Sequence, residues 1–132
     1  MRRRDLDPAE RRSRAIEAFG AVPPPLQQQA AYWQGALLVE GGEPERALER
    51  FRACAAMPGR DPRQAEVREL CHLAMGRVLA DQGRVQDAVD QYQEVPRESP
   101  RFNEALYEMA WAWVKAKRYE QALRTAALIS DL

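Results

Sequence analysis

One internal spacing of small and aromatic residues constrains this sequence more than any other feature. Two glycines, one alanine and one aromatic residue occur twice with the same separations, as Gly35, Gly42, Ala47 and Phe51 and then as Gly76, Gly83, Ala88 and Tyr92. A third set follows after a shorter interval, with its first three places held by Ala110, Lys117 and Ala122. A period within the range of about 20 to 50 residues predicts repeated units, here helix pairs, each of which packs on the next.

Each place in the pattern has a physical reason. Glycine inside a helix costs roughly 0.5 to 1 kcal/mol relative to alanine, so a close helix crossing must compensate at Gly35 and Gly76. Gly42 and Gly83 are predicted to end a helix in a left-handed conformation that suits the following turn. The alanines are small because the paired helix lies against them, and Phe51 and its counterpart fill the wedge between units.

Helices can be placed from this pattern and from the turn residues. Capping residues followed by a first-turn proline mark three helix starts, at Asp7, Asp61 and Ser99. The proline run at 23–25 separates the first helix from the rest, and we expect that helix to pack on the first repeat, as a cap or as the remnant of an earlier repeat. The sequence shows no strand pattern, and the expected helices cover about 8–19, 25–40, 44–56, 62–81, 84–95, 100–116 and 118–131.

The pattern resembles the tetratricopeptide repeat, a helix-turn-helix unit of about 34 residues. The second copy matches best, because it adds Met75, Leu79 and Pro100 in their expected places. The resemblance implies an all-α fold, a right-handed α-solenoid of three such repeats preceded by one N-terminal helix. The implied boundaries are a basic tail and capping helix at 1–22 and a repeat domain at 23–132, with repeats at about 26–59, 67–100 and 101–132.

Three places depart from the family pattern. Gln34 stands where an aliphatic residue is usual, Lys117 replaces the turn glycine of the third copy, and Ala126 replaces the aromatic residue of its second helix. The third copy is therefore the least typical of the three, as terminal repeats often are.

Charge and hydropathy exclude several classes of function. Twenty basic and twenty acidic residues cancel, so no field of a single sign covers the surface. No apolar run approaches the roughly 20 residues that a membrane-spanning helix needs. The N-terminal run MRRR, followed by Arg11, Arg12 and Arg14, is the feature that suggests binding to phosphate backbones. Acidic residues interrupt this run and no aromatic residue lies within it, so the sequence favours nucleic-acid binding least.

The sequence leaves the cellular compartment open. A basic start with no apolar core behind it is not a secretion signal, so a whole chain of this kind is expected in the cytoplasm. An excised domain would instead fit the periplasm or the cell envelope. The third copy is loosely similar to repeats of this family in bacterial envelope and motility complexes.

No combination of residues indicates catalysis. His72 is the single histidine, and its neighbour Cys71 points about 100° away on a helix, so the two side chains do not face each other. Cys54 and Cys71 are too few for a disulfide framework or a zinc knuckle, and we expect free thiols. The sequence therefore predicts no catalytic residue, no metal site and no cofactor.

The resemblance implies a binding surface for a protein or peptide on the first helices of the three repeats. In such stacks these helices line a concave groove. Chaperone-binding members of the family place lysine and asparagine there to hold a terminal carboxylate. This chain has large aromatic residues instead, which favour an apolar or amphipathic partner segment. The predicted groove residues are Gln29, Tyr32, Trp33, Glu40, Leu73, Arg77, Asp81, Glu104, Tyr107, Glu108, Trp111 and Lys115.

The last helix indicates a second mode of association. Leu123, Ile129 and Leu132 are predicted to lie uncovered, whereas a helical stack needs polar end caps to stay soluble. Either the array continues, or another subunit, such as a second copy of the chain, covers this end. Two hypotheses therefore stay open: a groove-binding scaffold, and a structural segment of a larger assembly or homo-oligomer.

Overall fold

A computed structural model describes residues 6–130 of the chain, apart from the side chain of Ser130. Over this range the chain forms α-helices, with one short 3-10 helix at Pro24–Leu26 and no strand. The all-α class predicted from the sequence is confirmed. The seven α-helices of the described range are α1 (Pro8–Phe19), α2 (Gln27–Glu40), α3 (Pro44–Ala56), α4 (Pro62–Asp81), α5 (Val85–Tyr92), α6 (Phe102–Lys115) and α7 (Tyr119–Ser130).

The segment between α5 and α6 differs most from the predicted helix bounds. Helix α5 ends at Tyr92, before the expected end, because the Val95 amide donates to the Tyr92 carbonyl at 3.2 Å in a tighter turn. Helix α6 begins at Phe102, since the hydroxyl of Ser99 accepts from the Arg101 amide at 3.0 Å in a turn that precedes it. Two predicted helix ends therefore become tight turns.

The other two predicted caps are formed as expected. The carboxylate of Asp7 accepts a hydrogen bond from the Glu10 amide at 2.9 Å and caps α1. Asp61 accepts in the same way from the Arg63 amide at 2.9 Å, immediately before α4. Each aspartate satisfies an amide that the first helical turn leaves without a partner.

The chain divides into two compact units, with the boundary between Arg68 and Glu69. In the first unit, α2 packs on α3 at the glycine that the repeat pattern places in mid-helix. A Cβ atom added to Gly35 would come 2.6 Å from Cδ1 of Phe51, whose ring is buried. The absence of a side chain at Gly35 thus lets the aromatic ring lie directly against the helix backbone.

Helix α1 packs on α2 in the same unit, and Gln34 explains how. The buried amide of Gln34 donates to the carbonyl of Ile16 in α1 at 2.9 Å. Its oxygen accepts from Nε of Arg50 in α3, also at 2.9 Å. The polar residue that departs from the family pattern therefore joins the N-terminal helix to the first repeat.

The second unit repeats the same packing with a different aromatic residue. A Cβ atom on Gly76 would lie 2.6 Å from Cε1 of Tyr92, whose side chain is buried. Helix α5 packs on α6, and α6 packs on α7. In the third repeat both corresponding places hold alanine, Ala110 and Ala126, so neither the glycine nor the aromatic ring is present. The two replacements occur together, because a glycine is required only where an aromatic ring lies against the helix backbone.

The three helix-turn-helix corners share one backbone conformation. Gly42 and Gly83 have φ angles of 75° and 77°, which confirms the predicted left-handed helix ends. Lys117 holds the equivalent place with a φ of 62°, although it carries a Cβ atom. The same backbone hydrogen bond of 2.9 Å closes each corner, from Glu43 to Leu38, from Arg84 to Leu79 and from Arg118 to Trp113.

Both cysteines are fully buried, and neither is a free thiol, because Cys54 and Cys71 are each disulfide-bonded. The prediction of free thiols is therefore wrong. Two cysteines are too few for a disulfide-rich framework, but their number contains no information on where the two side chains lie in the fold.

Candidate functional site

The first helices of the second and third repeats carry most of the predicted groove residues. In the second unit these residues of α4 and α6 lie around an open cavity of about 280 Å³. We call this surface the α4–α6 face. It comprises the cavity-lining residues together with Glu104. The predicted residues that line the cavity are Arg77, Asp81, Tyr107, Glu108, Trp111 and Lys115.

The charged residues of the α4–α6 face pair with one another across the two helices. Nε of Arg77 donates to Glu108 at 2.7 Å, and a terminal nitrogen of the same guanidinium donates to Glu104 at 3.0 Å. One turn further along α4, Asp81 accepts from Nζ of Lys115 at 3.1 Å. Most of the charge on this face is therefore compensated internally and is not directed at a ligand.

Glu108 occupies the most unusual electrostatic position on this face. Burial raises the pKa of its carboxyl group, and the hydrogen bond and charge of Arg77 offset only part of that shift. One carboxylate oxygen, Oε2, is buried and has no hydrogen-bond partner among the described residues. Burial, with the nearby Glu108 charge, also raises the pKa of Tyr92, well above its ordinary value. Both groups therefore favour their neutral forms more than free side chains do.

Two aromatic side chains supply the apolar surface of the α4–α6 face. Tyr107 is 67% exposed and Trp111 is 57% exposed, although both are large apolar groups. They lie one helical turn apart on α6, which places them on one side of the helix and next to the cavity. Side chains of this kind dominate the binding energy of protein interfaces when a partner covers them.

The predicted residues of the first repeat lie in the first unit. Trp33 is 52% exposed, whereas Tyr32 is half-buried, with its ring 6.1 Å from that of Phe51. The rings of Tyr32 and Trp33 meet edge to face at 5.4 Å. Gln29 borders a separate cavity of about 270 Å³, and Glu40 is exposed at the end of α2. Trp33 is therefore the aromatic residue of this unit that presents most surface.

Leu73 does not belong to a binding surface. Its side chain is completely buried, so it cannot contact a partner, and its prediction as a groove residue is wrong. The repeat pattern gives Leu73 the same place in the second repeat that Tyr107 has in the third, where the side chain is exposed. The difference arises from packing around each helix and not from the repeat pattern.

Three residues of the cavity are not among those predicted from the sequence, namely Ala80, Tyr92 and Ala112. The sequence predicts Tyr92 only as a packing residue, yet its side chain also borders the open space. The two alanines carry no chemical signal of their own, and their small size helps to make the cavity. A list of non-core positions on the first helices could not include a residue of the second helix such as Tyr92.

The one histidine has a structural contact. Nδ1 of His72 lies 2.9 Å from the side-chain oxygen of Gln91, so Nδ1–H donates to it across α4 and α5. Cys71 beside it is buried and disulfide-bonded and is therefore not a nucleophilic thiol. Within residues 6–130, no group of three or more potential ligands could hold a metal ion. No helix of that range is long and apolar enough to cross a membrane.

The predicted association residues of α7 are partly visible in the structure. Leu123 is 71% exposed and Ile129 is half-buried, while Leu132 lies outside the described residues. Tyr119, one turn before Leu123, is 57% exposed. Two large exposed side chains, Tyr119 and the predicted Leu123, thus lie one turn apart on α7.

Comparison with known proteins agrees with the repeat geometry. Residues 73–129 match the family model of the tetratricopeptide repeat, and this segment contains the Gly76 packing and two of the three corners. The comparison with curated proteins gave no match. The matched segment includes α5, α6 and nearly all of α7, and therefore most of the α4–α6 face. By this match, the segment of residues 73–129 consists of tetratricopeptide repeats.

Proposed function

We propose that the α4–α6 face binds an apolar or amphipathic segment of a partner protein, without catalysis. The observation that carries the proposal is the exposure of Tyr107 and Trp111 beside a cavity whose charged residues already pair among themselves. A partner that covers the two rings buries large apolar surfaces, and it need not bring a matching charge.

Tetratricopeptide repeats are in general modules of protein–protein interaction, and the family is generally non-catalytic. The family match of residues 73–129 supports that role for this chain at the same level of detail. The binding of a segment at the α4–α6 face is the finer proposal. It rests on the two exposed rings and the cavity and not on the family match.

The paired charges favour an apolar contact over a charged one. A partner charge would have to compete with Glu104 and Glu108 for Arg77, or with Asp81 for Lys115, and would gain little from exposed pairs. Apolar contact with the aromatic rings does not disturb these pairs. Binding is therefore expected to weaken little when salt is raised.

The test compares the partners captured from the source cell by immobilised wild type and by Trp111→Ala and Tyr107→Ala. Each substitution removes an exposed ring, so we expect the captured protein to be lost while the helical circular dichroism and the unfolding temperature stay unchanged. Leu128→Ala is the matched control, because Leu128 is also an exposed apolar residue of the second unit but lies on α7.

Two results would contradict the proposal. If both aromatic variants lose helicity, the rings are part of the core. If both variants stay folded and still capture the same protein as wild type, a surface other than the α4–α6 face binds it.

A further inference from the structure

One oxygen atom of the α4–α6 face is buried without a partner. Oε1 of Glu108 accepts a hydrogen bond from Nε of Arg77 at 2.7 Å, whereas Oε2 is buried and has no hydrogen bond among the described residues. Burying a charged oxygen in this way is unfavourable, because the atom loses water and gains no donor in return. Since the protein itself covers Oε2, a docked partner cannot supply that donor without displacing the residues around it.

Glu108 also lies in the apolar part of the face. Tyr107 and Trp111, its neighbours on α6, are the two exposed rings, and all three side chains line the same cavity. The side chain of Glu108 is still 21% exposed, so water reaches part of it in the free protein. A segment that covers both rings and the cavity removes this water and buries Glu108 further.

We propose that docking of an apolar segment on the α4–α6 face takes up a proton from solvent at Glu108, so that the affinity of this site rises as pH falls. The inference rests on the function proposed above and adds its regulation by pH. The proton binds to Oε2, while Oε1 remains the acceptor of the Arg77 hydrogen bond. Neutralisation favours docking because a carboxylic acid is much easier to remove from water than a carboxylate.

The charged groups around Glu108 are compatible with this change. Arg77 of α4 stabilises the carboxylate, but it also donates to Glu104 at 3.0 Å and keeps that ion pair when Glu108 is neutral. The charge of Glu104 on α6 acts in the opposite direction and favours the neutral form of Glu108. Because burial outweighs the effect of Arg77, the pKa of Glu108 is already raised in the free protein.

The other titratable groups at the cavity do not take the place of Glu108. Tyr92 of α5 borders the cavity, but burial raises the pKa of its hydroxyl well above the ordinary value, so it stays neutral. Asp81 of α4 and Lys115 of α6 pair with each other at 3.1 Å. No described residue of α7 lines the cavity. Glu108 is therefore the group whose protonation docking changes.

Proton linkage gives the direction and the size of the pH effect. Docking raises the pKa of Glu108 above its value in the free protein, so the complex keeps a proton that the free protein releases between the two values. Binding is tightest below the pKa of the free protein, and the gain is lost above the pKa of the complex. Both values lie above the ordinary glutamate pKa of 4.5. Each unit by which docking raises the pKa corresponds to about tenfold in affinity.

The test uses Nile red, an uncharged apolar dye without hydrogen-bond donors, as the probe. Its fluorescence is titrated with the full chain from about pH 5 to about pH 8, and the part lost in Trp111→Ala is binding at the α4–α6 face. We expect the affinity of this part to be several-fold higher at about pH 5 than at about pH 8. Glu108→Gln should bind at about pH 8 as wild type does at about pH 5, and should change little with pH.

Asp81→Asn is the matched control for the loss of a carboxylate. Asp81 lines the same cavity, but its side chain is 74% exposed and pairs with Lys115. This variant should keep the wild-type dependence on pH. Carbon-13 NMR of wild type is a second measurement that needs no variant. The carboxyl carbon of Glu108 should titrate at higher pH in the presence of saturating dye than in its absence.

The results that contradict the proton uptake differ from those that contradict the proposed function. If dye binding does not depend on Trp111, the α4–α6 face is not an apolar docking surface and both proposals fail. If binding depends on Trp111 but not on pH, or if the dye leaves the titration of Glu108 unchanged, the proton uptake alone fails. A slope that persists in Glu108→Gln has the same meaning and belongs to another group, such as His72, which contacts Gln91 and does not line the cavity.

Discussion

Replacement of Gly76 by alanine tests the packing on which each repeat depends. The added Cβ atom would lie 2.6 Å from both Cε1 and Cζ of Tyr92 and 2.9 Å from Cδ1. Tyr92 is only 3% exposed, so the ring can move only against its buried neighbours or toward the cavity that it borders. The substitution therefore forces α4 and α5 apart or moves the ring out of its position.

The expected loss follows from two opposing contributions to the free energy of unfolding. Overpacking of a dense core costs about 1 to 3 kcal/mol, and contact with three ring atoms places this case near the upper end. Alanine regains about 1 kcal/mol of helix propensity over glycine. The net expectation for Gly76→Ala is a loss of about 2 kcal/mol.

The assay is urea unfolding followed by tryptophan fluorescence in a Trp33→Phe background. The remaining tryptophans, Trp111 and Trp113, lie in the second unit and report on its unfolding. The matched control is Ala110→Gly, the reverse change at the equivalent place of the third repeat. It should also destabilise, by about 1 kcal/mol, through helix propensity alone.

A second background identifies the cause of the loss. With Tyr92→Leu the ring is absent, so adding Gly76→Ala should become neutral or stabilising. The reasoning fails if Gly76→Ala alone costs less than about 0.5 kcal/mol, which is the range of an ordinary surface change. It also fails if the cost is the same with and without the ring.

Two further predictions concern single residues of the second unit. Lys117→Gly should raise stability by about 0.5 to 1 kcal/mol in the same assay, because glycine avoids the cost of a left-handed φ. Part of this gain is lost, since glycine also gives the unfolded chain more conformational entropy. An unchanged or lower stability would contradict this prediction. Glu108→Gln should flatten the dependence of stability on pH. Above the ordinary glutamate pKa of 4.5 and up to its raised value, the folded protein keeps a proton that the unfolded chain has released, so wild-type stability falls as pH rises through that window. Urea unfolding of both proteins across that window is the measurement, and parallel curves would show that Glu108 does not cause the slope.

The corners and the helix crossings could be predicted because their requirements are local. A left-handed helix end needs a glycine, or a residue that tolerates its conformation, and Gly42 and Gly83 identify such ends directly. The mid-helix glycines likewise predict close helix crossings, and Gly76 lies against the ring of Tyr92 at such a crossing. In both cases the sequence contains the residues that the geometry requires.

Burial on the first helices could not be predicted in the same way. Leu73 and Tyr107 hold one place in the repeat, yet the first is buried and the second is exposed. Periodicity gives the direction of a side chain on its own helix, whereas burial depends on which other helix lies over it. The prediction of free thiols fails for the same reason. Whether two sulfur atoms bond depends on their positions in the fold, and the number of cysteines does not give those positions.

The amide of Gln34 determines what happens when α1 leaves the first repeat. No residue of α1 is fully buried, so the helix can separate at a small free-energy cost compared with unfolding of the whole unit. Water can then satisfy the amide that had bonded to Ile16, whereas an aliphatic residue at this place would leave an apolar patch. Gln34 thus leaves a polar group, which still bonds to Arg50, on the surface of α2 that α1 covers.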